Sequence, residues 1–179
     1  MAATTIRDFF QSAQARQFSR DFHFRVISID LAGGVSFSGD DQLVYARAAN
    51  LPGRAIQNKV ANYYGQQFNI PGKSEYTNSE AYSIEFYHDE DCDLRSQFEE
   101  ASRAVFNDTT STGDYAVPGT GDVINLQVID RQLNRVKDIK LVGASIRDIG
   151  EVSYQIADGT GEVTTIPVTF SYHFYDEFD

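Results

Sequence analysis

Residues 81–88, AYSIEFYH, alternate strictly, with Tyr82, Ile84 and Phe86 on one side of an extended chain and Ser83, Glu85 and Tyr87 on the other. A strand with one buried face has this period of two. The period then changes. Leu94, Phe98, Ala101 and Val105 are spaced four, three and four apart, which predicts an amphipathic helix. Asp89, Glu90, Asp91 and Asp93 stand at its start, where acids cap free N–H groups and meet the positive end of the dipole.

Elsewhere the pattern is mostly strand-like. Ile6–Phe18 opens with a short helical face (Ile6, Phe9, Phe10, Ala13) that needs a packing partner to be stable. Phe22–Leu31 reads as a strand, and Gln42–Ala49 reads as its returning partner beyond two Gly-containing turns. Leu51-Pro52-Gly53-Arg54 ends that strand, because proline cannot donate to a ladder. Ala55–Ile70 holds two short strands around Gly65, closed by Pro71-Gly72. Asn107–Thr120 is polar and reads as a loop. Asp122–Asp130 and Arg135–Val142 form a pair about a turn near Asn134. Ser153–Ala157 and Thr164–Phe174 are expected to pair across Asp158-Gly159-Thr160-Gly161, with Pro167 at an edge or bulge. About eight strands and one long helix predict a mainly β (α+β) fold, a β-sandwich or β-barrel with one flanking α-helix.

The chain of 179 residues, 41% hydrophobic, is long enough for one domain spanning 1–179 with a real core. No run of eighteen apolar residues predicts a membrane helix, and Met1–Asp8 lacks the apolar stretch of a secretory signal. Charge is more telling. The net charge is −11, which argues against gripping nucleic acid through phosphate contacts. Through Arg25 the chain is net +2, with four arginines against two aspartates, whereas beyond Arg147 seven acids meet no Lys or Arg. That asymmetry is usually that of a solvated surface, and it also suits a basic arm docking on an acidic neighbour; residues 1–21 read as an N-terminal arm or short helix.

Candidate chemistry is sparse. His88-Asp89-Glu90-Asp91-Cys92-Asp93 has ligand-type residues, but adjacent side chains diverge and the spacing matches no zinc or Ca²⁺ motif. A helix start rich in acids explains it. Cys92, the single cysteine, could pair with His23, His88 or His173, yet no orienting or oxyanion group is identifiable. The Gly-rich stretches lack the lysine and the strand-to-helix context of a phosphate loop. No catalytic set, metal site or cofactor is expected.

One ordered series of segments carries identity. Tyr45-Ala46-Arg47-Ala48-Ala49-Asn50-Leu51-Pro52-Gly53-Arg54 leads to Tyr64-Gly65-Gln66-Gln67-Phe68-Asn69-Ile70-Pro71-Gly72. Phe86-Tyr87-His88-Asp89-Glu90, Asp93-Leu94-Arg95-Ser96-Gln97-Phe98-Glu99 and Tyr172-His173-Phe174-Tyr175 follow. Over residues 6–178 this resembles the tail tube protein of contractile-tailed, T-even-like bacteriophages, a fold shared with type VI secretion tubes.

The resemblance implies six-subunit rings stacked into a hollow tube inside a sheath, with tape-measure, baseplate and tail-terminator proteins as further partners. It implies a virion component assembled in the host cytoplasm, not inserted in a membrane, through which DNA passes without specific binding. The tube of a type VI secretion or phage-like injection system is the alternative. The segment 51–78 is too long for an ordinary connection and reads as a stacking loop or hairpin, with Tyr63, Tyr64, Phe68, Ile70 and Tyr76 as inter-ring contacts. Glu85, Asp130 and Asp138 are the candidate channel-lining acids.

Overall fold

Residues 5, 6, 10, 11, 20–31, 35–38, 46–113, 117–154, 159 and 161–178 are described in the computed structural model. The strands before the long helix are β1 Phe24–Leu31, β2 Val35–Ser38, β3 Ala46–Ala49, β4 Gly53–Tyr63, β5 Gln66–Thr77 and β6 Tyr82–Tyr87. The helix spans Asp93–Val105. After it come β7 Phe106–Asn107, β8 Thr112–Gly113, β9 Val123–Ile129, β10 Arg135–Val142, β11 Ser145–Ile149, β12 Thr165–Ser171 and β13 Phe174–Phe178.

Two open antiparallel sheets share one core. One has the order β13-β10-β9-β1-β2 and the other β11-β12-β6-β3, and neither closes into a barrel. The alternation read from sequence holds where it is strongest. Tyr82, Ile84 and Phe86 of β6 are buried, as are Ile166, Val168 and Phe170 of β12, and they face Ile124, Leu126, Ile139 and Leu141 of the five-stranded sheet. The helix buries Leu94, Phe98 and Ala101 in the same core. Its start is capped by one of the four expected acids: Asp89 Oδ2 accepts from the backbone N–H of Asp93 (3.0 Å) and Leu94 (3.4 Å).

Several expectations are corrected. The strand returning beside β1 is β2, not Gln42–Ala49; of the latter, Ala46–Ala49 pairs with β6 in the other sheet, and 42–45 lie outside the described residues. Four residues are too few to show a period, yet Phe37 is wholly buried. The loop Asn107–Thr120 contains β8, which pairs with β7. The hairpin partner of β12 is β11, since Ser153 and Tyr154 are exposed and outside any strand, while 155–158 and 160 lie outside the described residues. The expected strand Thr164–Phe174 breaks at Tyr172-His173, so that Phe174 starts β13 in the opposite sheet.

Pro167 sits in a central strand, opposite Glu85 of β6. Its carbonyl accepts from Gly150 N (2.8 Å), just past the end of β11 at Ile149. A residue's N–H and C=O point to the same side of a strand, so the missing donor faces a place where the ladder has already stopped. Of the N-terminal segment, Ile6, Phe10 and Gln11 are helical and Thr5 is not; residues 1–4, 7–9 and 12–19 lie outside the described residues.

Tyr82 supplies a pH signature. Its hydroxyl donates to the carbonyl of Asn50 (2.6 Å). Burial, with a smaller effect of Tyr172, raises its pKa far above the usual tyrosine range. The neutral phenol therefore stabilises the fold fully below the unfolded value of about 10. That contribution fades as pH climbs from there towards the folded value, because the unfolded chain ionises first. Tyr82→Phe should flatten the fall in denaturation midpoint above about pH 10. An unchanged alkaline slope would reject the assignment.

Candidate assembly surface

Among the described residues β4 and β5 pair only with each other, through the register Tyr63↔Gln66 to Gly53↔Thr77. Tyr64 and Gly65 make the two-residue turn with φ of 47° and 78°. Positive φ at both positions matches the right-handed twist of the strands, and glycine takes it without strain. Pro71-Gly72 does not close the hairpin as expected. Gly72 and Lys73 together oppose Gln57, a bulge that absorbs the proline and lets β5 continue to Thr77.

Register sorts the side chains. Paired residues share a face, which puts Ala61, Tyr63, Phe68 and Ile70 on one face of the hairpin, flanked there by Lys59 and Gln66, and Asn62, Gln67 and Asn69 with Val60 on the other. The apolar face is open: Tyr63, Phe68 and Ile70 are exposed, and Tyr64 at the tip is 90% exposed. Tyr63 and Tyr64 stack edge to face at 4.7 Å. A two-stranded hairpin is marginal alone in water, and such an apolar face calls for a partner. Tyr76 is placed differently. It lies at the root, half-buried against the core, with its ring 5.2 Å from Tyr175 and 6.4 Å from Tyr172.

The three channel candidates do not share a surface. Glu85 projects from the outer face of the four-stranded sheet, where Arg47 Nη1 (3.0 Å) and Thr165 Oγ1 (2.7 Å) donate to it. Asp138 projects from the outer face of the five-stranded sheet, on the far side of the core from Glu85. It accepts from Gln127 Nε2 (2.8 Å) and bridges Arg135 Nε (3.1 Å), while Arg25 Nε donates to Gln127 Oε1 (2.7 Å). Sequence reasoning missed Arg25 and Gln127. They are 102 positions apart, and only the pairing of β1 with β9 joins them.

Asp130 closes the β9–β10 turn, accepting from the N–H groups of Gln132 (2.7 Å) and Asn134 (2.9 Å). The Asn134 N–H above all, then Gln132 and the Asn134 side chain, holds its carboxyl below the usual carboxylate range. The ionised carboxylate therefore supports the turn above the usual aspartate range and stops doing so as pH falls through its lowered value.

No protein-family model matches the sequence, and no curated protein matches it. The fold is similar to that of chains in contractile injection systems. A chain of the six-fold-symmetrised cryo-EM baseplate of the anti-feeding prophage superposes with a TM-score of 0.62 at 10% identity, over 91% of this chain and 97% of that one. A chain of the tube-terminating cap of the same particle gives 0.55 at 10% identity, over 91% and 93%. A chain of the extended sheath–tube complex of an extracellular contractile injection system (PVC) gives 0.51 at 11%, over 93% and 96%.

The acidic helix start is also resolved in geometry. Of the three histidines considered beside Cys92, the fold brings up His88, with Nε2 3.7 Å from Sγ. His88 Nδ1 faces Asp89 Oδ1 at 3.5 Å, and the other oxygen of Asp89 is the one committed to the helix cap. His23 instead receives the backbone N–H of Arg20 on Nδ1. Among the described residues no group of three His, Cys, Asp or Glu could hold a metal ion.

Proposed function

We propose that this chain is a structural subunit of a contractile particle that forms hexameric rings stacked into a hollow tube within a sheath. One observation carries the reading: nearly the whole chain follows the fold of a component of a six-fold contractile assembly. The hairpin adds to it, since Tyr63, Tyr64, Phe68 and Ile70 form an apolar surface suited to the next ring. A heterologous contact that closes on itself makes a ring and leaves both ring faces free to stack.

The tail tube of a T-even-like phage, conducting the genome at ejection, is the finer form of this proposal. The likeness to an extracellular injection system favours a second form, the tube of a phage-like injection particle. In either, residues 1–21 serve as the basic arm and the chain acts as one tube domain.

A conduit for a polyanion works best when its wall does not bind phosphate. Glu85 and Asp138 look out on opposite faces, so a single orientation in the ring can present only one of them to the channel. The purified chain should give six-fold rings and tubes in negative-stain micrographs, and a species about six times the monomer mass by ultracentrifugation. A monomer at every concentration, with no tubes, would sink the proposal. Within tubes, Glu85→Lys and Asp138→Lys should differ: only the channel-facing change should capture single-stranded DNA inside, and do so more strongly at low salt.

A further inference from the structure

The hairpin is held to the body at its root, and the root is aromatic. Tyr76 of β5 packs its ring edge to face against Tyr175 (5.2 Å) and Tyr172 (6.4 Å), and Tyr172 in turn meets Tyr82 at 5.9 Å. Tyr172 marks the point where the chain leaves β12 in the four-stranded sheet and enters β13 in the five-stranded one. His173 N donates to Val142 O (2.9 Å) there, and Tyr172 N to Ser79 O (2.8 Å). One aromatic residue of the hairpin therefore rests on the corner that joins both sheets.

From this contact we infer that Tyr76 is a positioning residue: it sets the direction in which the hairpin projects, rather than touching the neighbouring copy itself. Two features make the contact directional. Edge-to-face rings hold a preferred geometry rather than sliding freely as aliphatic groups do. The hydroxyl of its neighbour Tyr172 is buried with no hydrogen-bond partner. Water admitted by loss of the Tyr76 ring would hydrate that hydroxyl, so the corner has no drive to close over the gap. Without the ring, the paired strands keep their own ladder but pivot about Gly53 and Thr77, the last register pair. The free hairpin then samples many directions, and assembly requires one of them, which lowers apparent affinity in proportion. This last step rests on the proposed assembly role; the orientation of the hairpin does not.

The test measures orientation and assembly separately, on the full chain with Cys92→Ser. Spin labels on Gln67→Cys near the tip and Ser102→Cys on the helix, both exposed positions, report the distance from hairpin to body under monomeric conditions. A narrow distribution is expected for this background and for Tyr76→Phe, which keeps the ring. At least a twofold broadening is expected for Tyr76→Ala, with Tyr76→Leu as a second variant that retains apolar volume should alanine unfold the chain. The critical concentration for assembly should rise about tenfold or more in the variants without a ring, and less than twofold in Tyr76→Phe. Unchanged distances in the alanine or leucine variants would overturn the inference. So would equal broadening in Tyr76→Phe. Broadened distances in a chain that never assembles would uphold the positioning role and reject the tube.

Discussion

Phe98→Ala should destabilise the fold by about 3–5 kcal/mol, the largest effect expected of any single truncation here. Phe98 is fully buried, and its ring lies 4.7 Å from Phe37, 5.2 Å from Phe86 and 6.2 Å from Phe170. Phe37 belongs to the edge strand β2 of the five-stranded sheet; Phe86 and Phe170 belong to neighbouring strands of the other sheet. Phe98 is thus where helix and both sheets meet, and its removal leaves a cavity walled by three large rings that cannot collapse without moving a sheet. Phe98→Leu, which keeps most of the volume, should cost less than half as much. Guanidinium denaturation followed by circular dichroism checks both. A loss below about 1 kcal/mol for the alanine variant would mean that the core closes over the site.

The second large effect is on assembly and leaves stability untouched. Tyr63→Asp combined with Phe68→Asp places two charges on the apolar face of the hairpin, whose strands pair with each other and with no other described strand. The body should keep its denaturation midpoint. Burying an aromatic side chain contributes roughly 1.5–3 kcal/mol, and burying a charge in its place costs more. In the proposed assembly, ring stacking should therefore weaken by at least about a hundredfold, leaving single rings in place of tubes. Wild-type tube lengths from the folded double variant would show that this face is not the stacking surface. Changing Asn62 and Gln67 on the polar face to aspartate supplies the control, with a much smaller expected effect.

Which of these features could be read in advance depended on the length of the pattern. β6, β9, β10 and the helix each repeat their period several times, and each was placed within one or two residues. β2 has four residues and was missed, while β4–β5 was recognised as two strands but cut short at Pro71, because the bulge that accommodates the proline leaves no local trace. The hairpin face shows the same limit for the candidate site. Tyr63, Phe68 and Ile70 carry the alternation of a buried strand face, and the same letters serve whether that face is covered by its own body or by another copy. Tyr76 has the same character, yet it turns inward because β5 reaches the β12–β13 corner at that position.

Periodicity states which side of an element must leave water, and for this chain that was enough to establish a mainly β fold with one flanking helix and no long apolar span. Partners are another matter. That β3 joins β6 rather than β1, that Pro167 stands beside a finished strand, that Arg25 meets Gln127, and that Glu85 and Asp138 face opposite ways were all decided by tertiary pairing. The reason is physical: a buried face is satisfied by any complementary apolar surface, whereas the choice among surfaces depends on loop closures, bulges and corners spread over the whole chain.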